Sequence, residues 1–355
     1  MKKHNFGAGP CILPEEVFQK AAEAIIDYNN SGLSILEVSH RSEAFVEIIE
    51  EARDLALELL NLKDKGYQAL FLHGGASFQF VMIPYNLLET KAGYLHTGRW
   101  AGKAMKEAKK IGNIIEVGAS TNKNFNYIPL IETSLENLDY LHLTSNNTVV
   151  GTQMKTFPIT KTPLVVDMSS DIYSRVLDYS QFDLIYAGAQ KNVGTAGTTL
   201  VIVKEELLGK VSRSIPLIMD YQVLINNKSM YNTPPVFSIY TSLLNLKWLK
   251  KQGGIPAMQR MNSEKAKLLY NEIDSNPLFE STVPLKEHRS MMNATFILKD
   301  SALASKFAKL SLDSGIHGIT GHRSVGGYRA SMYNALPLSS VKALVDIMKE
   351  LERIG

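Results

Sequence analysis

The 355-residue sequence has little of several features that common protein classes require. It contains a single cysteine, Cys11, which excludes an intrachain disulfide, a CxxC redox pair and a multi-cysteine zinc site. The formal net charge is only +3, which is too weak to suggest a surface that binds nucleic acid or membranes. No apolar run approaches the roughly 18 consecutive residues that a membrane span requires. We therefore expect a cytoplasmic protein in which any preference for anions is local.

The composition is that of an ordinary globular protein, with 45% hydrophobic and 21% charged residues. A chain of this length corresponds to about two domains, or to one large α/β domain with an appendage. Short apolar runs alternate with segments of helical or loop character, which favours a mainly parallel sheet covered by helices on both faces. The predicted strands are residues 69–72, 92–96, 114–117, 140–143, 164–166, 184–187 and 199–203.

A boundary is predicted where the helical segment 238–252 meets Gly253, Gly254 and Pro256. The sequence beyond it alternates helical and strand-like stretches, which is typical of a compact α+β unit of roughly a hundred residues. We therefore predict three parts: an N-terminal segment that packs against the small domain (1–15), a large domain (16–254) and a small C-terminal domain (255–355).

Lys191 lies just beyond an apolar run, in a turn that contains Gly188 and Gly194. An amine in such a turn can form a Schiff base when a partly desolvated or cationic environment lowers its pKa enough for the neutral form to attack. The same position also suits a solvated loop lysine. This segment alone does not separate the two interpretations.

Asp167 ends another apolar run, Pro163 to Val166, with a carboxylate. Burying a carboxylate is costly unless a cation or several donors meet it. A protonated pyridine nitrogen is one suitable partner, because a carboxylate there keeps pyridoxal phosphate in its electron-accepting form. A helix cap or a metal ligand is the alternative, although no cluster of His or Cys supports a metal site.

Donors for a phosphate are available in the glycine turn His73 to Ser77, between a predicted strand and a helix. Its backbone N–H groups would lie at a helix N-terminus, where anions bind. The turn lacks the GxGxxG spacing, so a nicotinamide site is not indicated. Trp100, one of two tryptophans, follows another strand-like stretch and could stack on a flat ring or pack in the core.

Six motifs occur in order along nearly the whole chain. They are NFGAGP (5–10), EVSHRS (37–42), GGAS (74–77), YAGAQKN (186–192), MYNTPP (230–235) and GHRSVGGYRAS (321–331). With these motifs the sequence closely resembles the phosphoserine aminotransferases, in the class V branch of the fold-type I pyridoxal-phosphate enzymes. The resemblance implies the fold-type I architecture, in which helices cover a mainly parallel sheet and a smaller α+β domain follows.

The resemblance also implies one pyridoxal 5′-phosphate per subunit, held as a Schiff base on Lys191, which would then move a proton on the substrate. Asp167 would pair with the pyridinium nitrogen, and Trp100 would stack on the ring. The other implied cofactor residues are Thr148 at the polar edge, Gly75, Ala76 and Gln190 at the phosphate, and Asn232 and Thr233, which would reach that phosphate from a neighbouring subunit. A homodimer with shared active sites is therefore implied.

By the same resemblance, the reaction is reversible amino transfer between L-glutamate and 3-phosphohydroxypyruvate, giving O-phospho-L-serine and 2-oxoglutarate in serine biosynthesis. A second implied substrate is 3-hydroxy-2-oxo-4-phosphooxybutanoate, from pyridoxine biosynthesis. Such anions need a local cationic pocket, although each arginine taken alone also suits a surface ion pair. The implied substrate residues are Arg41 for the glutamate carboxylate, Arg329 for a carboxylate or phosphate, and His40, His322 and Arg323.

One position departs from the family pattern. Some members have an arginine directly after the paired glycines, whereas this chain has Ala76. One cation for the substrate phosphate is therefore missing, and Lys155 or the histidines could supply charge instead.

Two functions other than transamination also fit parts of this pattern. A cysteine desulfurase of the same fold needs a mobile cysteine that accepts sulfur, and Cys11 is the one candidate. A catalytically idle binding protein could also keep this fold. The presence of Lys191, Asp167 and Trp100 together argues against that second reading.

Overall fold

The structure is a computed structural model that describes residues 3–354. The chain begins with β1 (His4–Asn5), α1 (Glu15–Ile26) and α2 (Glu43–Leu59). In α2 the apolar residues recur at three- and four-residue steps, so Phe45, Ile49 and Ala52 are fully buried on one face. Among residues 3–354, no helix is both long and apolar enough to cross a membrane.

A seven-stranded sheet forms the centre of the molecule. Its strands are β2 (Tyr67–Leu72), β3 (Lys91–His96), β4 (Asn113–Ala119), β5 (Leu141–Thr144), β6 (Leu164–Asp167), β7 (Leu184–Gly188) and β8 (Thr199–Lys204). The spatial order is β2-β8-β7-β6-β5-β3-β4, and only β8 runs antiparallel to its neighbours. The prediction of a mainly parallel sheet is confirmed, because the seven strands predicted between residues 69 and 203 all lie in it.

Helices cover both faces of this sheet, because alternate strand residues point to opposite sides. On one face, Val166 and Ile185 pack in a core shared with α2. On the other face, Val165 and Leu184 pack in a second core. The covering helices that follow α2 are α3 (Gly75–Leu87), α4 (Arg99–Ala108), α5 (Tyr221–Asn226) and α6 (Val236–Lys251). The predicted α/β sandwich is therefore confirmed.

The C-terminal part of the chain has a smaller α+β arrangement with a core of its own, which includes Leu269, Phe296, Phe307 and Leu344. Three of its strands form an antiparallel sheet in the order β12-β10-β9. Its elements are α7 (Gly254–Ser275), β9 (Phe279–Ser281), β10 (Asn293–Leu298), α8 (Ala304–Asp313), β11 (Ile316–His317), β12 (Tyr328–Ser331) and α9 (Leu338–Ile354).

The two parts are joined more closely than a boundary at residue 254 suggests. Helix α7 begins at Gly254, and its residue Met258 packs in the core shared with α2, whereas Leu269 packs in the C-terminal core. At the other end of the chain, β1 pairs in parallel with β11, and Phe6 is buried in the C-terminal core. The division of the chain into domains stays a prediction.

The sequence pattern does not predict strand β9. Only Phe279 is buried among its three residues, so it shows no alternating pattern long enough to recognise.

Candidate active site

The carboxyl ends of the parallel strands meet at a cavity of about 330 Å³. This edge is where ligands bind in open α/β sheets, because each strand ends there in a turn whose residues face the same crevice. Asp167 ends β6, Lys191 follows β7, and Trp100 lies in the first turn of α4 after β3. The sequence-predicted residues that line the cavity are Gly75, Ala76, Trp100, Thr148, Asp167, Gln190, Lys191, His322 and Arg329.

Lys191 is held in the turn after β7, with its amine in the cavity. Within the part of the chain that the structure describes, Nζ makes no hydrogen bond and no ion pair. Burial lowers the pKa of Lys191, the carboxylate of Asp167 opposes this shift, and the charge of Arg329 reinforces it. The neutral, nucleophilic form of the amine is therefore more accessible than in an exposed lysine.

Asp167 is buried at the end of β6, and its Oδ1 accepts the backbone N–H of Ser169 at 2.9 Å. Burial raises the pKa of this carboxyl group, while Lys191 and Ser169 lower it. A cation placed against Asp167 would therefore relieve an electrostatic penalty. This is the environment that a protonated ring nitrogen requires.

Two buried side chains in the strands beside Asp167 were not singled out from the sequence. His142 in β5 and Tyr186 in β7 are joined through Nε2 and the hydroxyl oxygen at 2.9 Å. Burial lowers the pKa of His142 to about 3, so the imidazole is neutral at physiological pH. The available signal was a histidine or tyrosine between apolar neighbours in each of two strands.

Trp100 and Arg329 are connected through Thr148. The indole Nε1 of Trp100 donates to the Thr148 hydroxyl at 3.2 Å, and Nη1 of Arg329 donates to the Thr148 carbonyl at 2.9 Å. Burial lowers the pKa of the Arg329 guanidinium, and its Nε has no hydrogen-bond partner among the described residues. Arg329 therefore keeps donor capacity for a ligand in the cavity.

The N-terminus of α3 forms another part of the cavity wall. Gly74 precedes this helix in the left-handed region at φ 91°, and no side chain caps the helix. A Cβ atom at Gly74 would lie 2.6 Å from the Cβ of Phe78, so a glycine is required there. The first N–H groups of α3 have no partner within the helix. With Gly75 and Ala76 they offer an anion site in the cavity.

These residues fit pyridoxal phosphate. The amine of Lys191 suits its aldehyde, the buried carboxylate of Asp167 suits its ring nitrogen, and the start of α3 suits its phosphate. The hydroxyl of Thr144 also lines the cavity, and it is buried without a hydrogen-bond partner among the described residues. A buried orphan hydroxyl is costly in a dry cavity and is satisfied by a polar ligand.

The remaining predicted residues do not line this cavity. His40 and Thr233 lie together in a shallow surface groove of about 410 Å³, which we call the outer groove. The Thr233 carbonyl contacts His73 Nε2 at 2.8 Å. Arg41, Asn232 and Arg323 are exposed. The structure of one chain thus separates the predicted site residues into a cavity set and an exposed set.

Cys11 has the contacts of a structural thiol. Its Sγ donates to the Lys191 carbonyl at 2.6 Å, and burial raises the pKa of the thiol to about 12. A thiolate is the nucleophile in sulfur transfer, so this cysteine is unsuited to desulfurase chemistry. Across residues 3–354, no group of three or more His, Cys, Asp or Glu side chains is placed to hold a metal ion.

Comparison with known proteins gives a consistent result. The family model described as aminotransferase class V matches residues 4–344. A phosphoserine aminotransferase of Flavobacterium psychrophilum is 61% identical over 99% of both chains. The solved phosphoserine aminotransferase of Bacillus circulans subsp. alkalophilus superposes with a TM-score of 0.95 at 44% identity, over 99% of both chains. The PLP-bound enzyme of Trichomonas vaginalis gives 0.93 at 37% identity, over 98% of this chain and 100% of the other.

Proposed function

Because the chain belongs to the class V aminotransferases, we propose that it transfers an amino group between L-glutamate and 3-phosphohydroxypyruvate. The products are 2-oxoglutarate and O-phospho-L-serine, so the protein acts in serine biosynthesis as a phosphoserine aminotransferase. The observation that carries this function is the cavity in which Lys191 and Asp167 lie together at the carboxyl edge of the sheet. The longer phosphorylated oxo acid and the cytoplasmic location stay predictions.

Pyridoxal phosphate, when bound, supplies an electron sink for the bond that breaks at the substrate Cα. Lys191 would hold the cofactor covalently and, once displaced by substrate, would move the proton at Cα. Asp167 would keep the ring nitrogen protonated, since its buried carboxylate has most to gain from a cation. Trp100, fixed by its hydrogen bond to Thr148, would pack against the ring face.

Substrate recognition is proposed to use Arg329 and His322 in the wall of the cavity. Arg329 retains an unpaired Nε–H and would bind a carboxylate. His322 lies on the same wall, and its Nδ1 accepts the N–H of Ser324 at 3.1 Å. Its other ring nitrogen then carries the proton and is a donor.

We further propose that the outer groove serves a second subunit. Asn232 and Thr233 are exposed and lie outside the cavity of their own chain, and His40 lies beside Thr233. In a homodimer, these residues would complete the cavity of the partner subunit. Each subunit would then hold one cofactor. Arg41 is next to His40 in the sequence, so it would also lie near the partner's cavity.

The reaction is tested with the cofactor-loaded protein, L-glutamate and 3-phosphohydroxypyruvate, by measuring 2-oxoglutarate. Turnover is expected, and 2-oxoglutarate should form in step with phosphoserine. A protein that shows the visible absorbance of bound cofactor but transfers no amino group to any phosphorylated oxo acid would contradict the proposal. That outcome would favour an idle binding protein.

The shared site is tested with two defective variants, Lys191→Ala and the double variant Asn232→Ala/Thr233→Ala. After the two proteins are unfolded together and refolded, each hybrid dimer contains one site with a native Lys191 and a native Asn232–Thr233 pair. Activity above that of either parent is expected. No gain, with hybrid formation shown by differently tagged subunits, would mean that each chain builds its own site.

A further inference from the structure

Tyr186 and His142 lie on the two strands that flank Asp167 in the central sheet. Asp167 in β6 is directly paired with Tyr186 in β7, and Val165 in β6 is paired with His142 in β5. Since alternate residues of a strand share one face of the sheet, the three polar side chains point to the same side. Tyr186 and His142 are fully enclosed and do not line the cofactor cavity, whereas Asp167 does. Asp167 is therefore the cavity residue through which this pair can act.

The phenol of Tyr186 is placed to donate a hydrogen bond to the Asp167 carboxylate. Burial raises the pKa of this phenol well above its usual value, and the charge of Asp167 and hydrogen bonding to it raise the pKa further. The phenol therefore stays protonated at physiological pH. Since an ionised carboxylate only accepts hydrogen bonds, the Tyr186 hydroxyl is the donor of the two groups.

His142 fixes the direction of that donation. Its Nε2 lies 2.9 Å from the Tyr186 hydroxyl oxygen, and burial lowers the pKa of the imidazole to about 3, so the ring is neutral. Because the hydroxyl proton is directed to Asp167, the hydroxyl oxygen accepts, and the imidazole carries its one proton on Nε2. The ring is stacked on Tyr94 with centroids 4.7 Å apart, which holds its plane in place.

A donor to Asp167 influences where the proton between the carboxylate and a cofactor ring lies. Burial raises the pKa of Asp167, so the carboxyl group competes with a ring nitrogen for that proton. The backbone N–H of Ser169 donates to Oδ1 and opposes this effect. A second donor, the phenol of Tyr186, also favours the ionised carboxylate and so leaves the proton on the ring.

We propose that Tyr186 and His142 are positioning residues that keep Asp167 ionised and directed at the ring nitrogen of the cofactor. His142 donates to Tyr186, and Tyr186 donates to Asp167, so two neutral side chains stabilise one buried charge. This inference rests on the proposed function, because it requires pyridoxal phosphate with its ring nitrogen against Asp167. Neither residue touches the cofactor or the substrate.

The test compares the parent with Tyr186→Phe, which removes only the phenol oxygen. The full-length protein without cofactor is titrated with pyridoxal phosphate and with the analogue in which C–H replaces the ring nitrogen, and quenching of tryptophan fluorescence gives each Kd. The parent should prefer pyridoxal phosphate, because only this compound presents a nitrogen to Asp167. In the variant the preference should fall roughly tenfold, the lower end of the range for a lost hydrogen bond to a charged group.

Steady-state kinetics provide a second measurement on the loaded enzyme. For Tyr186→Phe, kcat with glutamate and 3-phosphohydroxypyruvate should fall roughly tenfold. Both KM values should stay close to those of the parent, because Tyr186 does not line the cavity in which the substrates would bind.

A double variant separates positioning from stability. Tyr186→Phe leaves the Nε2–H of His142 buried without an acceptor, so its urea midpoint should fall. In Tyr186→Phe/His142→Leu both polar groups are absent, so the urea midpoint should rise again, whereas the cofactor preference should stay low. Recovery of both would mean that the pair acts on stability alone and would contradict the proposal. The double variant also provides the test if the single variant does not fold.

Tyr140→Phe is the matched control. It removes a buried hydroxyl from the same core, and the partner of that hydroxyl is the hydroxyl of Tyr94 at 2.8 Å. Its urea midpoint should fall, and its preference between the two cofactors and its kcat should equal those of the parent.

Two results with Tyr186→Phe would overturn the inference. One is an unchanged preference for pyridoxal phosphate, and the other is an equal loss of affinity for both cofactors. A parent without any preference would refute the role of Asp167 on which the inference rests. A parent that shows the preference but transfers no amino group would refute only the proposed reaction, so the failures are distinguishable.

Discussion

Two lysines in this molecule have desolvated amines but different surroundings. Burial lowers the pKa of Lys191 in the cofactor cavity, and it also lowers the pKa of Lys265 in α7, to about 7. The amine of Lys265 donates to the carbonyls of Met332 and Tyr333 at 3.1 and 2.8 Å, and its side chain is fully enclosed. The amine of Lys191 has no such partners and faces open space.

The comparison shows that a lowered pKa does not by itself identify a catalytic lysine. Backbone carbonyls occupy the donors of Lys265, so that amine joins α7 to the segment after β12 and has no room for a ligand. Lys191 combines the same desolvation with a free amine, a cavity and a nearby carboxylate. Substitution of Lys191 should therefore reduce activity and leave stability nearly unchanged. Substitution of Lys265 should instead change stability and leave activity unchanged.

The largest expected effect is that of Lys191→Ala on activity. It removes the group that holds the cofactor and moves the substrate proton, so kcat should fall at least about a thousandfold. The visible absorbance of covalently bound cofactor should also disappear, while the urea midpoint of the protein without cofactor should stay close to that of the parent. Retained absorbance and activity would show that another amine is used.

Asp167→Asn should have the next largest effect. The amide cannot hold a proton on the ring nitrogen, and loss of one partner of a buried charge pair predicts a fall in kcat of roughly a hundredfold. Steady-state kinetics at saturating cofactor provide the measurement. A variant with parental kcat would indicate that Asp167 has only a structural role beside Ser169.

Lys265→Met should change stability and leave kcat unaltered. The folded pKa of Lys265, about 7, lies below its ordinary value of 10.5, so between these pH values the unfolded chain binds more protons. The contribution of this lysine to the free energy of unfolding therefore rises with pH, by up to about 1.4 kcal/mol per unit. Urea unfolding from pH 6 to 10 should show a flatter profile for the variant. Identical profiles would mean that Lys265 is charged when folded.

The smallest expected effect is at Cys11, whose thiol interacts electrostatically with both lysines but takes no part in the proposed reaction. A serine hydroxyl can make the same hydrogen bond to the Lys191 carbonyl, so Cys11→Ser should retain transamination to within about twofold. Steady-state assays under reducing conditions provide the check. Loss of all activity would restore sulfur transfer as an alternative.

Much of the fold followed from pattern alone. Short apolar runs separated by longer segments predicted a mainly parallel sheet, and Asp167 and Lys191 stood out because each follows such a run. The weak elements, such as β9 with one buried residue, could not be recognised because periodicity needs several residues to appear.

The positions of the substrate-binding residues could not be predicted from local pattern in this way. Arg329 resembles any surface arginine in the sequence, and only the folded chain places it in the wall of the cavity, bonded to the Thr148 carbonyl. His40 and Thr233 are likewise far apart in sequence, and only the folded chain places them in one outer groove.

By itself, the sequence determined the α/β architecture, the absence of an intrachain disulfide and the chemical groups available at the strand ends, because these depend on local pattern and residue type. Only the tertiary structure decided which of the two lysines keeps a free amine, that the Cys11 thiol is bonded and unreactive, and that Arg329 keeps a free donor in the cavity. Elements distant in the chain determine the burial and hydrogen bonding of Lys191 and Lys265. The residues next to each lysine in the sequence therefore do not predict them.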